Sequence, residues 1–172
     1  MDALLEALPG ARRALFATYH VGGCQSCAYR EDETLAEVCD RNEIAVDEAI
    51  ATLLASHAHD RRMLIAPADL KKLRDDGREK ILLVDTRTRE EHEAVTIPGA
   101  QFMTQDLQQK LLATPPAARI VLFDHRGRDV LDHCAWFRGH GLEETCGLDG
   151  GIDAWAKEID PSLPRYRLEM DS

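Results

Sequence analysis

The chain has 172 residues, of which 44% are hydrophobic, and its formal net charge is −10 at pH 7. This length holds one domain of ordinary size plus a small appendage, and no basic stripe offsets the acids, which argues against nucleic-acid binding. The N-terminus has neither a basic region nor a long apolar run, so we expect no signal peptide and no membrane span. Five cysteines in such a chain predict reduced thiols in the cytoplasm.

The first part of the chain is predicted to be a small all-helical module. Its apolar residues recur at helical spacing, and Thr34 and Glu37 form a capping-box signature. In the last of its helices, Ile50, Leu53 and Leu54 are predicted to face inward. The predicted helices are Asp2–Leu8, Ala11–Tyr19, the segment from Thr34 to Cys39, and Val46–Ser56. A short linker, His57–Arg62, follows, and we place the domains at residues 1–58 and 59–172.

A Cys-x-x-Cys pair, Cys24 and Cys27, follows a double glycine inside this module. Two thiols at this spacing can share a metal or an iron–sulfur cluster, form a reversible disulfide, or pass a sulfane sulfur between them. Spacing does not choose among these roles, and purely structural thiols are a further alternative. A metal site can be drawn from His20, Cys24, Cys27 and Cys39, although Cys39 lies on a stripe typical of buried small residues. No other cofactor is predicted. The module resembles small cysteine-containing helical domains found beside iron–sulfur and redox proteins.

The second part of the chain alternates strands and helices with short connections, which predicts an α/β domain with a parallel sheet covered on both faces. Within it, Cys134 and Cys146 are predicted to be core residues, and His92 is predicted to be exposed or held by its helix dipole. The predicted strands are Met63–Ile65, Ile81–Asp85, Gln101–Met103, Ile120–Phe123 and Glu144–Leu148. The predicted helices are Pro67–Asp76, Arg89–Ala94, Gln105–Leu112, Asp129–Arg138 and Gly151–Ile159.

Three segments of this second part carry motifs. Residues 81–100 read ILLVDTRTREEHEAVTIPGA, residues 120–130 read IVLFDHRGRDV, and residues 148–155 read LDGGIDAW. In this order and spacing they resemble the rhodanese (sulfurtransferase) domain family, from about Leu64 to Ile159. The resemblance implies a structural role for Asp85 and Arg87, which match the family's Asp-x-Arg at a strand end. Thr96 stands where the family has a histidine.

The main departure from the family lies in the loop after the strand Ile120–Phe123. The family places a persulfide-carrying cysteine at the first loop position, where this chain has Asp124. The resemblance implies that the rest of the loop and the following helix N-terminus form an anion cradle. We expect Asp124 to accept the cradle N–H groups, and a carboxylate is a poor sulfur carrier. The remaining residues of this anion-binding loop are His125, Arg126, Gly127, Arg128 and Asp129.

Two functions follow from these observations. In the first, the domain is a binding or regulatory module that lacks thiosulfate sulfurtransferase activity. In the second, the protein is a sulfur-relay or redox protein in which Cys24 or Cys27 carries a persulfide or a dithiol. In both, the expected partner is a protein, with a sulfur-carrier protein as one candidate, and neither nucleic acid nor membrane is expected.

Overall fold

A computed structural model describes residues 1–22, 29–30 and 32–166. The chain divides into two compact units, Met1–Arg62 and Met63–Ser172. No helix in the described ranges is both long and apolar enough to cross a membrane.

The first unit is built from short helices around a small apolar core. Thr34 and Glu37 form the predicted capping box, in which each side chain accepts a hydrogen bond from the other residue's backbone N–H. Leu15, Val21 and Val38 are completely buried in the core. The helices are α1 (Asp2–Ala7), α2 (Ala11–Tyr19), α3 (Leu35–Arg41) and α4 (Val46–Arg61).

Helix α4 differs from its prediction in length and in orientation. It continues through Arg61, so the segment expected to be a linker forms its last turns. The prediction that Ile50 and Leu54 face inward is wrong, because their side chains are 41% and 55% exposed. Leu53 faces inward, as predicted, and the other buried residues of the helix are Ala49 and Asp60. The small Ala49 side chain favours close packing against α2, where a hydrogen bond of 2.9 Å joins the Tyr19 and Thr52 hydroxyls.

The second unit is a parallel sheet flanked by helices, which confirms the predicted α/β class. Within its described residues the sheet has five strands in the order β1-β5-β4-β2-β3, all parallel. The strands are β1 (Leu64–Ile65), β2 (Ile81–Asp85), β3 (Gln101–Phe102), β4 (Arg119–Phe123) and β5 (Cys146–Leu148). The helices are α5 (Pro67–Asp76), α6 (Arg89–Ala94), α7 (Gln105–Ala113), α8 (Val130–Gly139) and α9 (Gly151–Glu158).

The central strand β4 has a core on each face. Leu122 packs into one apolar cluster, with α7 and α8, while Val121 and Phe123 pack into the other, with α5 and α9. All three side chains are completely buried, and burial stabilises each by about 1.5–3 kcal/mol. Strand β2 is paired so that Asp85 lies opposite Phe123. Asp85 and the residue after Phe123, Asp124, therefore sit at the same carboxyl edge of the sheet, where α/β domains place their functional groups.

Candidate functional site

The loop from Asp124 to Asp129, which we call the Asp124 loop, joins β4 to α8 at this edge. The Asp124 side chain is buried, and its carboxylate accepts hydrogen bonds from the backbone N–H groups of Gly127 and Val130, the latter at 2.9 Å. Val130 is the first residue of α8. The carboxylate therefore lies at a helix N-terminus, where N–H groups and the helix dipole favour negative charge.

The shape of the Asp124 loop depends on close contact with the turn between β5 and α9. A Cβ atom at Gly151 would lie 2.5 Å from the Asp124 carbonyl oxygen, and one at Gly127 would lie 2.5 Å from the Gly150 nitrogen. The first N–H groups of α9 donate to the loop, Ile152 to the Asp124 carbonyl at 3.0 Å and Asp153 to the next carbonyl at 3.1 Å. The double glycine thus allows backbone to pack directly on backbone.

The other residues of the loop face different surroundings. His125 is buried, and its ring stacks on Tyr166 with 4.4 Å between ring centroids and 5° between planes. Its Nε2 lies 3.1 Å from the Tyr166 carbonyl, which accepts the hydrogen bond. Arg126, Arg128 and Asp129 are exposed to solvent. The loop therefore presents two arginines and one aspartate to solvent, while the Asp124 carboxylate points inward.

A second buried carboxylate, Asp85, ends the neighbouring strand β2 and is surrounded by side-chain donors. Arg87 donates from Nη2 to Oδ2 at 2.6 Å and from Nε to Oδ1 at 2.9 Å. The Nδ1 atom of His92 and the hydroxyl of Thr96 lie 2.9 Å and 3.1 Å from Oδ2. Burial alone would raise the pKa of Asp85, but the hydrogen bonds from Arg87 and His92 outweigh it and lower the pKa. We call these four residues the Asp85 cluster.

Sequence reasoning missed two parts of this region. His92, expected to be exposed or held by its helix dipole, is half-buried and bonded to Asp85, because α6 carries it back over the end of β2. Tyr166 was not singled out, although its hydroxyl accepts from Arg87 Nη1 at 2.6 Å and donates to Glu91 at 2.6 Å. The sequence holds a signal for the contact between His92 and Asp85. His92 follows the acid that ends β2 by seven residues and lies one turn into α6. No local pattern marks Tyr166.

The cysteine predictions have different outcomes. Cys24 and Cys27 lie outside the described residues, so their roles stay predictions. Of the other two ligands drawn into a metal site, His20 is exposed and Cys39 is completely buried, where burial raises the pKa of the thiol. In the parts of the chain that the structure describes, no three His, Cys, Asp or Glu side chains group closely enough to hold a metal ion.

Cys134 and Cys146 are buried in the two apolar clusters, as predicted. The Cys134 sulfur packs against β5, 3.3 Å from where a Cβ at Gly147 would lie. Burial raises the pKa of Cys146 to about 11, so this thiol stays protonated near neutral pH. Neither sulfur belongs to the Asp124 loop.

Comparisons with known proteins agree on the second unit. The family model for the rhodanese-like domain matches residues 66–158. The "Probable adenylyltransferase/sulfurtransferase MoeZ" of Mycobacterium tuberculosis is 32% identical over 105 residues, which cover 59% of this chain and 26% of that protein. "Adenylyltransferase and sulfurtransferase MOCS3-1" of Zea mays is 29% identical over 106 residues, which cover 57% of this chain and 22% of that protein. The matched segment thus spans about a quarter of these relatives.

A solved structure gives the same fold. The rhodanese-like domain of an Anabaena sp. protein has a TM-score of 0.50 and 21% sequence identity, and it covers 64% of this chain and 88% of that domain. At this identity the likeness concerns the fold alone.

Proposed function

Because the chain belongs to the rhodanese-like domain family, we propose that the second unit, Met63–Ser172, forms a protein-binding or regulatory module without thiosulfate sulfurtransferase activity. The observation that carries the proposal is the position of Asp124. Its carboxylate accepts the N–H groups of Gly127 and Val130 in the loop where the family carries its cysteine. A negative charge that belongs to the protein thereby occupies the anion cradle.

The chemistry of sulfur transfer explains why this matters. A sulfurtransferase of this family needs a thiolate, which attacks the outer sulfur of a donor and then holds that sulfur in a covalent bond. A carboxylate oxygen is a poor nucleophile toward sulfur and a poor carrier of it. Cys134 and Cys146, the described thiols of the second unit, are buried among apolar side chains of the two core clusters. Among the described residues of this unit, no thiol is therefore available to take over the reaction.

The outer surface of the loop is suited to a protein partner. Arg126 and Arg128 are exposed beside the filled cradle, and exposed arginines bind carboxylates with two parallel hydrogen bonds. Such a surface steers an acidic partner toward the loop. The candidate partner is a protein with an acidic face, such as a sulfur-carrier protein, and a location in the cytoplasm is part of the same proposal.

The test compares thiosulfate:cyanide sulfurtransferase activity in the wild-type chain and in Asp124→Cys. We expect no turnover from the wild type and measurable turnover from Asp124→Cys, because the cradle N–H groups and the α8 N-terminus would stabilise a thiolate at that position. Asp124→Ser is the matched control, since it gives a side chain of similar size without sulfur. Wild-type turnover that persists in the double variant Cys24→Ser, Cys27→Ser would contradict the proposal.

A sulfur relay is the second candidate, favoured by the names of the relatives, which include "sulfurtransferase". In it, the thiolate of Cys24 or Cys27 attacks the outer sulfur of a donor persulfide, the donor sulfur–sulfur bond breaks, and the donor leaves as a thiolate. The expected result is a mass increase of one sulfur atom on a peptide containing Cys24 and Cys27 after exposure to a persulfide donor. Cys39→Ser is the control, because that buried thiol should not contribute. Unmodified Cys24 and Cys27 after the exposure would end this candidate.

A further inference from the structure

Two consecutive residues near the end of the described chain, Arg165 and Tyr166, lie across the Asp124 loop and α6. The Tyr166 ring stacks on the imidazole of His125, and its hydroxyl lies between Arg87 and Glu91. The Arg165 guanidinium donates to both carboxylate oxygens of Asp153, at 2.7 Å and 2.9 Å. We call the surface formed by Arg87, Glu91, His125 and Asp153 the Tyr166 cleft.

The cleft recognises the tyrosine through three separate groups. Stacking on His125 selects a flat aromatic ring. The hydroxyl accepts a hydrogen bond from Arg87 and donates one to Glu91, so both hydrogen-bonding functions of a phenol are used. Burial and the bond to Glu91 raise the pKa of Tyr166 to about 12, in keeping with a phenol that donates its proton to this hydrogen bond.

The cleft recognises the arginine through geometry as well as charge. Two parallel N–H···O bonds to Asp153 match the planar guanidinium, and a lysine ammonium would supply only one such contact at a time. The Arg165 guanidinium lowers the pKa of Asp153, so the acid is charged near neutral pH. Asp153 lies on α9 and Glu91 on α6, so rigid elements of the sheet unit hold the two acids.

The segment leaves part of the cleft open. An apolar cavity of about 410 Å³ lies beside Tyr166, lined in part by Ala94, Val95 and Pro164. A peptide with a larger apolar residue than Pro164 before its arginine would bury additional surface there.

We propose that the Tyr166 cleft is a recognition site for protein segments in which an arginine is followed by an aromatic residue, and that the chain's own Arg165 and Tyr166 occupy it. This inference goes beyond the proposed function, because it holds whatever chemistry Asp124 allows. The internal segment has the advantage of a high effective concentration, because it belongs to the same chain. A partner segment therefore needs additional contacts to displace it, and it gains them by filling the apolar cavity. The partner is thus a protein carrying an apolar, arginine and aromatic sequence in an extended stretch.

The test uses a fluorescent peptide with the sequence of residues 161–166, PSLPRY, and the full chain. In the double variant Arg165→Ala, Tyr166→Ala the cleft is vacated, and we expect this variant to bind the peptide at least tenfold more tightly than the wild type. Replacing either the arginine or the tyrosine of the peptide by alanine should weaken binding about tenfold. Equal binding to both proteins, or none to the double variant, would overturn the proposal.

Two further variants locate the binding. Adding Asp153→Ala to the double variant should remove the preference for the arginine-containing peptide, whereas adding Glu158→Ala, an exposed acid on the same helix, should change nothing. Binding that ignores Asp153→Ala would place the peptide elsewhere and refute the assignment. Arg165→Ala alone, which alters a half-exposed side chain, provides an intermediate affinity if the double variant folds poorly. A wild-type dimer that Tyr166→Ala converts to monomer would show occupancy by a second copy, which contradicts occupancy within one chain.

Discussion

Two buried aspartates at the same edge of the sheet are held in opposite ways. Asp85, at the end of β2, is surrounded by side-chain donors from Arg87, His92 and Thr96. Asp124, directly after β4, takes its hydrogen bonds from the backbone N–H groups of Gly127 and Val130. The two residues differ by one position in register, because Asp85 pairs with Phe123. Neighbouring positions in one sheet therefore stabilise the same charge by different means.

The difference predicts that the two aspartates respond differently to substitution. Arg87 carries a full charge, so the buried Asp85 carboxylate is neutralised only while that one side chain is present. A backbone cradle is part of the loop itself, and it accepts whichever anion the first loop residue brings. Breaking the Asp85 cluster should therefore cost more stability than a change at Asp124. Four measurements test this expectation.

The largest effect is expected from Arg87→Ala. This change leaves the Asp85 carboxylate buried without its main cation, and breaking a buried pair in this way costs about 3–5 kcal/mol of unfolding free energy. Urea unfolding followed by tryptophan fluorescence measures it, since Trp136 and Trp155 both lie in the second unit. Lys71→Ala, which removes an exposed helix pair with Asp75, should cost about 0.3–0.5 kcal/mol. If Arg87→Ala lowered the unfolding free energy by less than about 1 kcal/mol, the expected difference between Asp85 and Asp124 would be contradicted.

A smaller loss is expected from Asp124→Ala. The N–H groups of Gly127 and Val130 lose a charged acceptor, which should lower the unfolding free energy by about 2 kcal/mol. The same urea experiment measures it. Asp129→Ala is the matched control in the same loop, because that exposed acid makes no side-chain capping bond, and it should change stability by less than about 0.5 kcal/mol. Equal losses in the two variants would show that Asp124 does not fill the cradle.

Acidification is a milder probe of the Asp85 cluster, because it removes charge without removing atoms. The pKa of Asp85 is lower in the folded state than in the unfolded state. Between these two pKa values the unfolded chain binds more protons than the folded chain, so the free energy of unfolding rises with pH. The contribution is complete above the ordinary aspartate pKa of about 3.9 and is lost as pH falls through the lower folded value. Urea midpoints measured from pH 7 to pH 3 should fall more steeply in the wild type than in Asp85→Asn. If the urea midpoints of the two proteins fell equally with pH, other carboxylates would dominate the pH dependence of stability.

The smallest effect is expected from Thr96→Val, which preserves shape and removes one donor to Asp85. The Thr96 hydroxyl lies 3.1 Å from Oδ2, and such a bond contributes about 0.5–1.5 kcal/mol. Thermal unfolding detected by circular dichroism should show a correspondingly small decrease in Tm. Thr104→Val is not an equivalent control, because the Thr104 side chain caps the N-terminus of α7. Thr114→Val serves instead, because the exposed Thr114 ends α7 through its backbone N–H, which the substitution keeps. A Tm unchanged relative to Thr114→Val would assign Thr96 no part in the cluster.

The sheet and the position of Asp124 follow from local patterns. Short continuous apolar runs identify β2 and β4, and apolar residues at helical spacing identify the helices that flank them. Each of these patterns depends only on residues that are neighbours in the sequence. The inward face of α4 was mispredicted at Ile50 and Leu54, because several apolar stripes compete and tertiary packing selects the one with Ala49. The contacts of Tyr166 join residues up to 79 positions apart. No local pattern encodes such a distance, so only the folded chain reveals the cleft.

The double glycine at residues 150 and 151 has an evolutionary consequence. Gly151 is needed because its backbone lies against the carbonyl of Asp124, so it is required for the architecture whether or not the neighbouring loop performs chemistry. A lineage that lost the reactive sulfur would keep the receptacle for it. The architecture of this turn is then preserved independently of the side chain that the neighbouring loop carries.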